Sequence, residues 1–169
     1  MKKITDSILS VLFGKFPALF RLWERSSSIL TFDETYWTRP PEDPFSSKIA
    51  LVTTGGVHLR DDVPFDMDDR DGDPTYREIP RDATQERLTI THDYYDRRDA
   101  LDDIGVVFPL GALLDMKSSG HVKDVNGRHF SFMGHIKGRH LDTLMEETAP
   151  EVAAKLREDG VDVVILSPA

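Results

Sequence analysis

The stretch IALVTTGG at residues 49–56 decides the fold. Its first four residues form a short apolar run, which is typical of a strand buried on both faces within a parallel sheet. The two threonines and two glycines that follow predict a turn at the carboxyl end of that strand. A similar run, VDVVIL at residues 161–166, predicts a second buried strand of the same kind.

Helical patterns lie between the strand candidates. Pro109 suits the first turn of a helix that runs to about Lys117, and Gly120 then ends it. Residues 139–147 and 148–158 also have helical patterns. This alternation predicts an α/β fold, with a mostly parallel sheet and flanking helices in a Rossmann-like three-layer arrangement.

Three shorter strand signals complete the expected sheet. Leu88–Ile90 and Val106–Phe108 are short apolar runs that predict strands. The pair Asn126-Gly127 lies between two segments of strand-like sequence, and Asn-Gly in that setting is a strong signal for a two-residue turn. We therefore expect a β-hairpin near residues 121–132.

The N-terminal part of the chain differs from the rest. Residues 1–47 are predicted to form an N-terminal helix and a connector, and residues 48–169 to form the α/β domain. Asp6 and Lys15 interrupt the apolar residues at the N-terminus, so the segment does not have the pattern of a secretory signal. We therefore expect a cytoplasmic protein.

Charge and composition exclude several classes of function. The 169 residues include 21 Lys+Arg and 30 Asp+Glu, for a net charge of −9. Binding of nucleic acid needs a basic face that neutralises phosphates, so we expect no nucleic-acid partner. No apolar run is long enough to cross a membrane. The chain has no cysteine, which excludes disulfides, zinc–thiolate sites and thiol chemistry within these residues.

The carboxyl ends of parallel strands meet at one edge of a sheet, where ligands usually bind. This places residues 53–58, 91–96 and 167–169 near one rim. Backbone amides of the threonine–glycine turn are candidates for an anion-binding nest, and the alternative is a tight turn without a ligand. The turn lacks the glycine patterns of nucleotide-binding loops. The candidate anion- or substrate-binding residues are Thr53, Thr54, Gly55, Gly56 and Ser167.

Histidines near this rim are candidate supporting groups. His92 and Asp96 lie four residues apart, so a helix starting there would place them on one face and let the carboxylate orient the imidazole. The alternative is an ordinary acidic helix start. His58 and His135 are the other two candidates. The histidine spacings match no zinc motif, and the acidic loop at 61–73 does not have the spacing of a calcium loop, so no metal site is predicted.

Seven motifs in one order carry a family resemblance. They are LVTTGGVHL (51–59), PFD (64–66), GDPTYREIP (72–80), ITHDYYD (90–96), DIGVVFPL (103–110), FSFMGH (130–135) and DGVDVVILSPA (159–169). Together they resemble the glycine/sarcosine/betaine reductase component B family, which also holds the selenoprotein subunit of D-proline reductase. The resemblance covers about residues 48–169.

The resemblance implies a redox residue beyond the last residue of the sequence. Members of the family carry a selenocysteine or cysteine in a U-x-x-C or C-x-x-C motif that directly follows a strand similar to residues 163–169. The redox residue is therefore expected just after Ala169. Because the selenocysteine codon UGA is also a stop codon, the sequence is interpreted as a selenoprotein cut at its catalytic codon.

The resemblance also implies reductive cleavage of a C–N bond in a small amine or amino acid. The partner would be a subunit with a pyruvoyl group, or another redox partner. A selenolate or thiolate nucleophile gains from a low pKa, and His58 and His92 are candidates to stabilise it or to move protons.

Two other interpretations remain open at this stage. One is a redox-inactive α/β module for binding or assembly. The other is a domain that binds a small anion at the threonine–glycine turn. An α/β sheet that lacked its next helix would leave apolar surface uncovered, and this favours the interpretation as a truncated selenoprotein.

Overall fold

The computed structural model describes residue 16 and residues 38–169. The chain divides into two compact units, residues 1–40 with 93–96 and residues 41–92 with 97–169. The predicted N-terminal helix lies outside the described residues. All the helices and strands given below belong to the second unit.

The main sheet is built around strand β1 (Lys48–Thr53). One side of β1 pairs in parallel with β7 (Val163–Ser167). The other side pairs in parallel with β5 (Asp124–Val125) and β6 (Arg128–Phe132). Strand β3 (Tyr76–Pro80) pairs with β6 in the antiparallel direction. The sheet is thus mixed but rich in parallel pairs, and the α/β class is confirmed.

The expected hairpin at Asn126-Gly127 is wrong. Lys48 pairs with Asp124 and Val52 pairs with Phe130, so β5 and β6 both run along the same side of β1 in the same direction. The amide of Asn126 also donates to the carbonyl of Ile49 at 2.8 Å. Asn126-Gly127 is therefore a two-residue bulge within one strand, and not a chain reversal. The turn signal is local, whereas the pairing with β1 decides the direction of the chain.

A histidine side chain replaces a missing backbone hydrogen bond of the sheet beside this bulge. The amide of Leu51 has no ladder partner in β5 or β6, and it donates instead to Nδ1 of His129 at 3.0 Å. His129 is fully buried, and its ring packs edge-to-face against Phe108 at 5.9 Å. A ring nitrogen thus replaces a backbone carbonyl in the centre of the sheet.

A separate two-stranded ribbon joins β2 (Val57–Leu59) and β4 (Leu88–Ile90) in the antiparallel direction. The strand predicted at Leu88–Ile90 is therefore present, but it lies outside the main sheet. The strand predicted at Val106–Phe108 is wrong, because a 3₁₀ turn occupies Ile104–Val106. An apolar run of three residues does not distinguish a strand from a buried turn.

Three of the four described α-helices lie in segments with a predicted helical pattern, and the first was not predicted. The four are α1 (Arg98–Asp102), α2 (Leu110–Ser118), α3 (His140–Thr143) and α4 (Ala149–Glu158), with a π turn at Leu144–Thr148 between the last two. The helix predicted after Pro109 is confirmed as α2. Gly120 follows it at φ +73°, a backbone angle that favours glycine.

Helix α4 covers one face of the main sheet. Its residues Val152 and Leu156 form a buried cluster with Ala50, Phe130 and Phe132. This cluster joins β1 and β6 to the helix and supplies the core on that face. The three-layer Rossmann-like arrangement stays a prediction.

Strand β7 is not buried on both faces as predicted. Val164 is 37% exposed, Ile165 is 40% exposed and Leu166 is 72% exposed. Among the described strands, β7 pairs with β1 alone. The apolar run correctly predicted a strand, but burial depends on neighbouring elements that a local pattern does not contain.

Candidate functional site

The candidate site lies where the two parallel strands β1 and β7 end side by side. Thr53 and Ser167 form the last pair of that ladder. The turn 54–56 leaves β1 there, and residues 168–169 leave β7. We call this region the β1–β7 rim and include the two residues that contact Thr54 and Gly56 from neighbouring loops: it comprises Thr53, Thr54, Gly55, Gly56, His92, Gly134, Ser167, Pro168 and Ala169.

Threonine hydroxyls connect the two strand ends. The hydroxyl of Thr53 donates to the carbonyl of Ser167 at 3.1 Å and accepts from the amide of Gly55 at 3.0 Å. The amide of Thr54 donates to the same Ser167 carbonyl at 3.1 Å. The amide of Ala169 donates to the hydroxyl of Thr54 at 3.2 Å. The end of β7 is thus held by side chains as well as by the backbone ladder.

The glycine turn has no amide left for an anion. The amides of Thr54 and Gly55 are engaged as described above, and the amide of Gly56 donates to the carbonyl of Phe132 at 3.0 Å. Because these three donors are already used inside the protein, the hydrogen bonds favour the tight-turn interpretation over the anion-binding nest. Gly56 has φ +68°, and a Cβ atom there would lie 2.5 Å from the carbonyl oxygen of Thr91.

His92 fixes a neighbouring loop at the rim. Its side chain is buried, and Nε2 accepts the amide hydrogen of Gly134 at 3.1 Å. A ring nitrogen that accepts a hydrogen bond carries no hydrogen, so in this arrangement the ring is neutral, with its hydrogen on Nδ1. A Cβ atom at Gly134 would lie 3.2 Å from the carbonyl oxygen of Thr54, so the loop passes close to the turn.

His58 lies behind the rim in the β2–β4 ribbon. It is buried, with Nδ1 2.6 Å from the carbonyl oxygen of Leu59 and Nε2 2.8 Å from the hydroxyl of Thr91. The carbonyl can only accept, so Nδ1 is the donor and Nε2 accepts from the hydroxyl. The Nε2 bond joins β2 to the residue that follows β4, whereas the Nδ1 bond stays within β2. Neither ring nitrogen is offered to a substrate in this arrangement.

The other two predicted supporting groups are His135 and Asp96. His135 is half-buried, with Nε2 3.2 Å from the carbonyl oxygen of Arg70 in the acidic loop. Asp96 belongs to the first unit; the backbone bends at residues 93–95, and helix α1 begins only at Arg98. The helical face that was expected to join Asp96 to His92 is therefore absent. The roles of these residues as supporting groups stay predictions.

The acidic loop packs onto the segment that follows β6. Gly72 bridges to Ile136, and Phe65 and Asp73 are buried, so the loop is partly covered by the protein. Asp69 pairs with Arg139 and lies 3.0 Å from Nε2 of His140. Hydrogen bonds from the backbone of Asp71 and from His140 hold the pKa of Asp69 below its usual range.

No group of three or more histidine or acidic side chains within residues 38–169 has the geometry of a metal site. In the same part of the chain, no helix is both long and apolar enough to cross a bilayer. A cleft of about 530 Å³ lies away from the rim, lined by residues that include Arg81, Leu88, Phe108 and Leu110.

Sequence reasoning missed two features, one at the rim and one in the main sheet. Gly134 in the loop after β6 and the carbonyl of Phe132 at the end of β6 are rim partners, and the glycine in FSFMGH was the available signal. The imidazole of His129 is the second. Burial, and to a smaller degree the charge of Arg81, lower its pKa to about 4. Its Nε2 has no hydrogen-bond partner among the described residues.

The geometry defines a parallel-rich α/β domain with a rim built from backbone and threonine hydroxyls. A family profile for glycine/sarcosine/betaine reductase selenoprotein B matches residues 22–169. The chain therefore belongs to the glycine/sarcosine/betaine reductase selenoprotein B family, as the motifs predicted.

Two characterised relatives support this membership. The D-proline reductase subunit gamma of Acetoanaerobium sticklandii is 34% identical over 131 residues, which are 78% of this chain and 52% of the relative. The glycine reductase complex component B subunit gamma of Peptoclostridium acidaminophilum is 27% identical over 152 residues, 86% of this chain and 33% of the relative. The chain thus spans about half the length of the first relative and a third of the second. No solved structure gives a significant match.

Proposed function

We propose that this chain acts as the selenoprotein B-like subunit of a reductase of the glycine, sarcosine, betaine or D-proline type. The reaction is the reductive cleavage of a C–N bond in a small amine or amino acid. Family membership and the names of the two relatives support this proposal.

The observation that carries the proposal is the fixed end of β7. Ser167 and Ala169 are held against Thr53 and Thr54 at the carboxyl edge of two parallel strands. This is the edge at which α/β sheets present reactive groups. A residue attached to such a fixed strand end has a defined direction, which reactions between bound groups require.

The proposal places a selenocysteine or cysteine directly after Ala169, because residues 163–169 resemble the strand that precedes the redox motif in this family. A selenolate or thiolate there would attack the carbon of the C–N bond, forming a C–Se or C–S bond as the C–N bond breaks and the amine leaves with a proton. A neighbouring thiol would then attack the selenium or sulfur and form a selenenyl sulfide or disulfide while the carbon takes up a proton, so the pair is oxidised by two electrons and the carbon is reduced by two. His92 and Gly134 would shape the wall of the site beside it. Neutral His92 accepts a hydrogen bond in this arrangement, so we assign it to holding the loop.

The proposed partner is a subunit that carries a pyruvoyl group and binds the substrate amine, or another redox protein. Both relatives are named as subunits, and one is named as part of a complex. A cytoplasmic location is part of the same proposal.

The first test is to sequence the native gene beyond codon 169 and to weigh the native protein. An in-frame UGA followed by codons for x-x-Cys, with a heavier product that contains selenium, is the expected result. A UAA or UAG codon, with a native mass near 19.2 kDa, would contradict the proposal.

The alternative is a redox-inactive α/β module for binding or assembly. The observation that favours it is that His58 and His92 use ring nitrogens for hydrogen bonds within the protein. Under this alternative, the native protein of 19.2 kDa would co-purify with reductase subunits without selenium. The gene sequence and the mass therefore separate the two functions in one experiment.

A further inference from the structure

The end of β7 makes more hydrogen bonds than a parallel ladder requires. In a ladder, backbone amides and carbonyls pair with each other. Here the carbonyl of Ser167 accepts two hydrogen bonds, one from the hydroxyl of Thr53 and one from the amide of Thr54. Pro168 has no amide hydrogen, so Ala169 provides the next donor along the chain. That donor is bound by the hydroxyl of Thr54.

Thr54 is itself fixed from the opposite side. Its carbonyl oxygen lies close to Gly134, where a Cβ atom would come within 3.2 Å of it. The amide of Gly134 is held by the buried ring of His92. Thr53, the residue before Thr54, is fully buried. Thr54 therefore links β7 to the loop after β6, and its position does not depend on the β1–β7 ladder alone.

We propose that Thr54 is a positioning residue whose hydroxyl fixes the direction of the chain as it leaves β7. This inference rests on the proposed function for one point, namely that the residue after Ala169 is the redox residue. Loss of the hydroxyl frees the backbone at Ala169, and a misplacement of about 1 Å is enough to slow a reaction between positioned groups by about a hundredfold.

The first experiment tests the hydroxyl in the native protein by amide hydrogen exchange in NMR. Thr54→Val removes the acceptor with little change in shape, and Thr54→Ser is the matched control that keeps it. We expect the amide of Ala169 to exchange about fivefold faster in Thr54→Val, the factor that loss of one hydrogen bond gives. Thr54→Ser should exchange as the wild type does. Equal exchange in Thr54→Val and wild type would overturn the proposal.

The second experiment tests positioning in the full native protein through the pH dependence of alkylation by iodoacetamide. We expect the pH midpoint or the plateau rate of alkylation to change in Thr54→Val and to equal the wild-type value in Thr54→Ser. The temperatures of thermal unfolding of both variants should stay near that of the wild type. Unchanged alkylation in a variant with fast Ala169 exchange would overturn the positioning role. If the native protein has no selenol or thiol, the positioning role fails with the proposed function, and the exchange rates still decide whether Thr54 fixes the chain.

Discussion

Strands β1 and β7 are adjacent, parallel and similar in sequence, yet one is buried and the other is exposed. Leu51 is fully buried in β1, whereas its ladder partner Ile165 in β7 is 40% exposed. β1 has a paired strand on each side and helix α4 on one face. β7 has a partner on one side among the described strands. An apolar run therefore predicts membership of a sheet, and the neighbours decide how much each side chain stabilises the fold.

The largest difference should appear when the paired residues Leu51 and Ile165 are each changed to alanine. Leu51→Ala removes a fully buried side chain and should lower the free energy of unfolding by about 4 kcal/mol. Ile165→Ala, at a half-exposed site, should lower it by about 1.5 kcal/mol. Urea unfolding of the two variants measures both values. Equal losses would mean that β7 is covered as fully as β1.

The second prediction concerns pH and the ring that completes β1. The pKa of His129 is lowered from 6.5 to about 4 by burial, so the folded protein favours the neutral ring. The contribution of the neutral ring to the free energy of unfolding is complete above about pH 6.5. It is lost as the pH falls toward 4, because the unfolded chain then binds a proton that the folded chain does not. The loss should reach about 3 kcal/mol.

NMR titration of the His129 ring measures this pKa directly. Urea unfolding of the wild type and of His129→Gln is measured between pH 7 and pH 4. The difference between the two proteins separates the loss of stability due to His129 from the loss due to the carboxylates. The glutamine keeps an acceptor for the Leu51 amide and does not titrate. A ring that titrates near pH 6.5 would show that the site beside β1 is open to water.

The third prediction compares two glycines with similar backbone angles. Gly56 (φ +68°) follows β1, and an added Cβ would lie 2.5 Å from a carbonyl oxygen, whereas Gly120 (φ +73°) has open space around it. Gly56→Ala should cost about 2 kcal/mol, from backbone strain and from the close approach, and Gly120→Ala about 1 kcal/mol from strain alone. Thermal unfolding of both variants checks the order, and the reverse order would contradict the packing at the rim.

The smallest effect should come from Leu166, which is 72% exposed in β7. Leu166→Thr keeps β propensity and removes exposed apolar surface, so the free energy of unfolding should change by no more than about 0.5 kcal/mol. The protein should also remain soluble at higher concentration. A loss above about 2 kcal/mol would show that Leu166 is buried in solution.

Much of the fold could be predicted because its signals are local. The apolar runs at β1 and β7 and Pro109 before α2 each act on their own segment, and each of these elements is present where expected. The hairpin prediction at Asn126-Gly127 was wrong because the same dipeptide occurs in hairpins and in bulges, and only pairing with β1 decides between them. The prediction that β7 is buried on both faces was wrong because burial also depends on neighbouring elements.

The sequence predicted the position of the candidate site but not the hydrogen-bond partners within it. Parallel strand ends fixed the position of the rim, and the structure does bring Thr54, His92 and Ala169 to it. The partners of each group were not predictable, because the hydroxyl of Thr54 binds an amide 115 residues away. Side-chain contacts between such distant residues leave no periodic trace in the sequence.

The bulge in β5–β6 constrains how the length of this region varies among natural sequences. Between the pairs Lys48–Asp124 and Val52–Phe130, the bulged strand advances six residues while β1 advances four. An excess of two preserves the alternation of faces, so Phe130 and Phe132 both point toward α4. Loss of a single residue would invert the parity and turn His129 and Ser131 toward the helix. Insertions and deletions here should therefore survive only in even numbers.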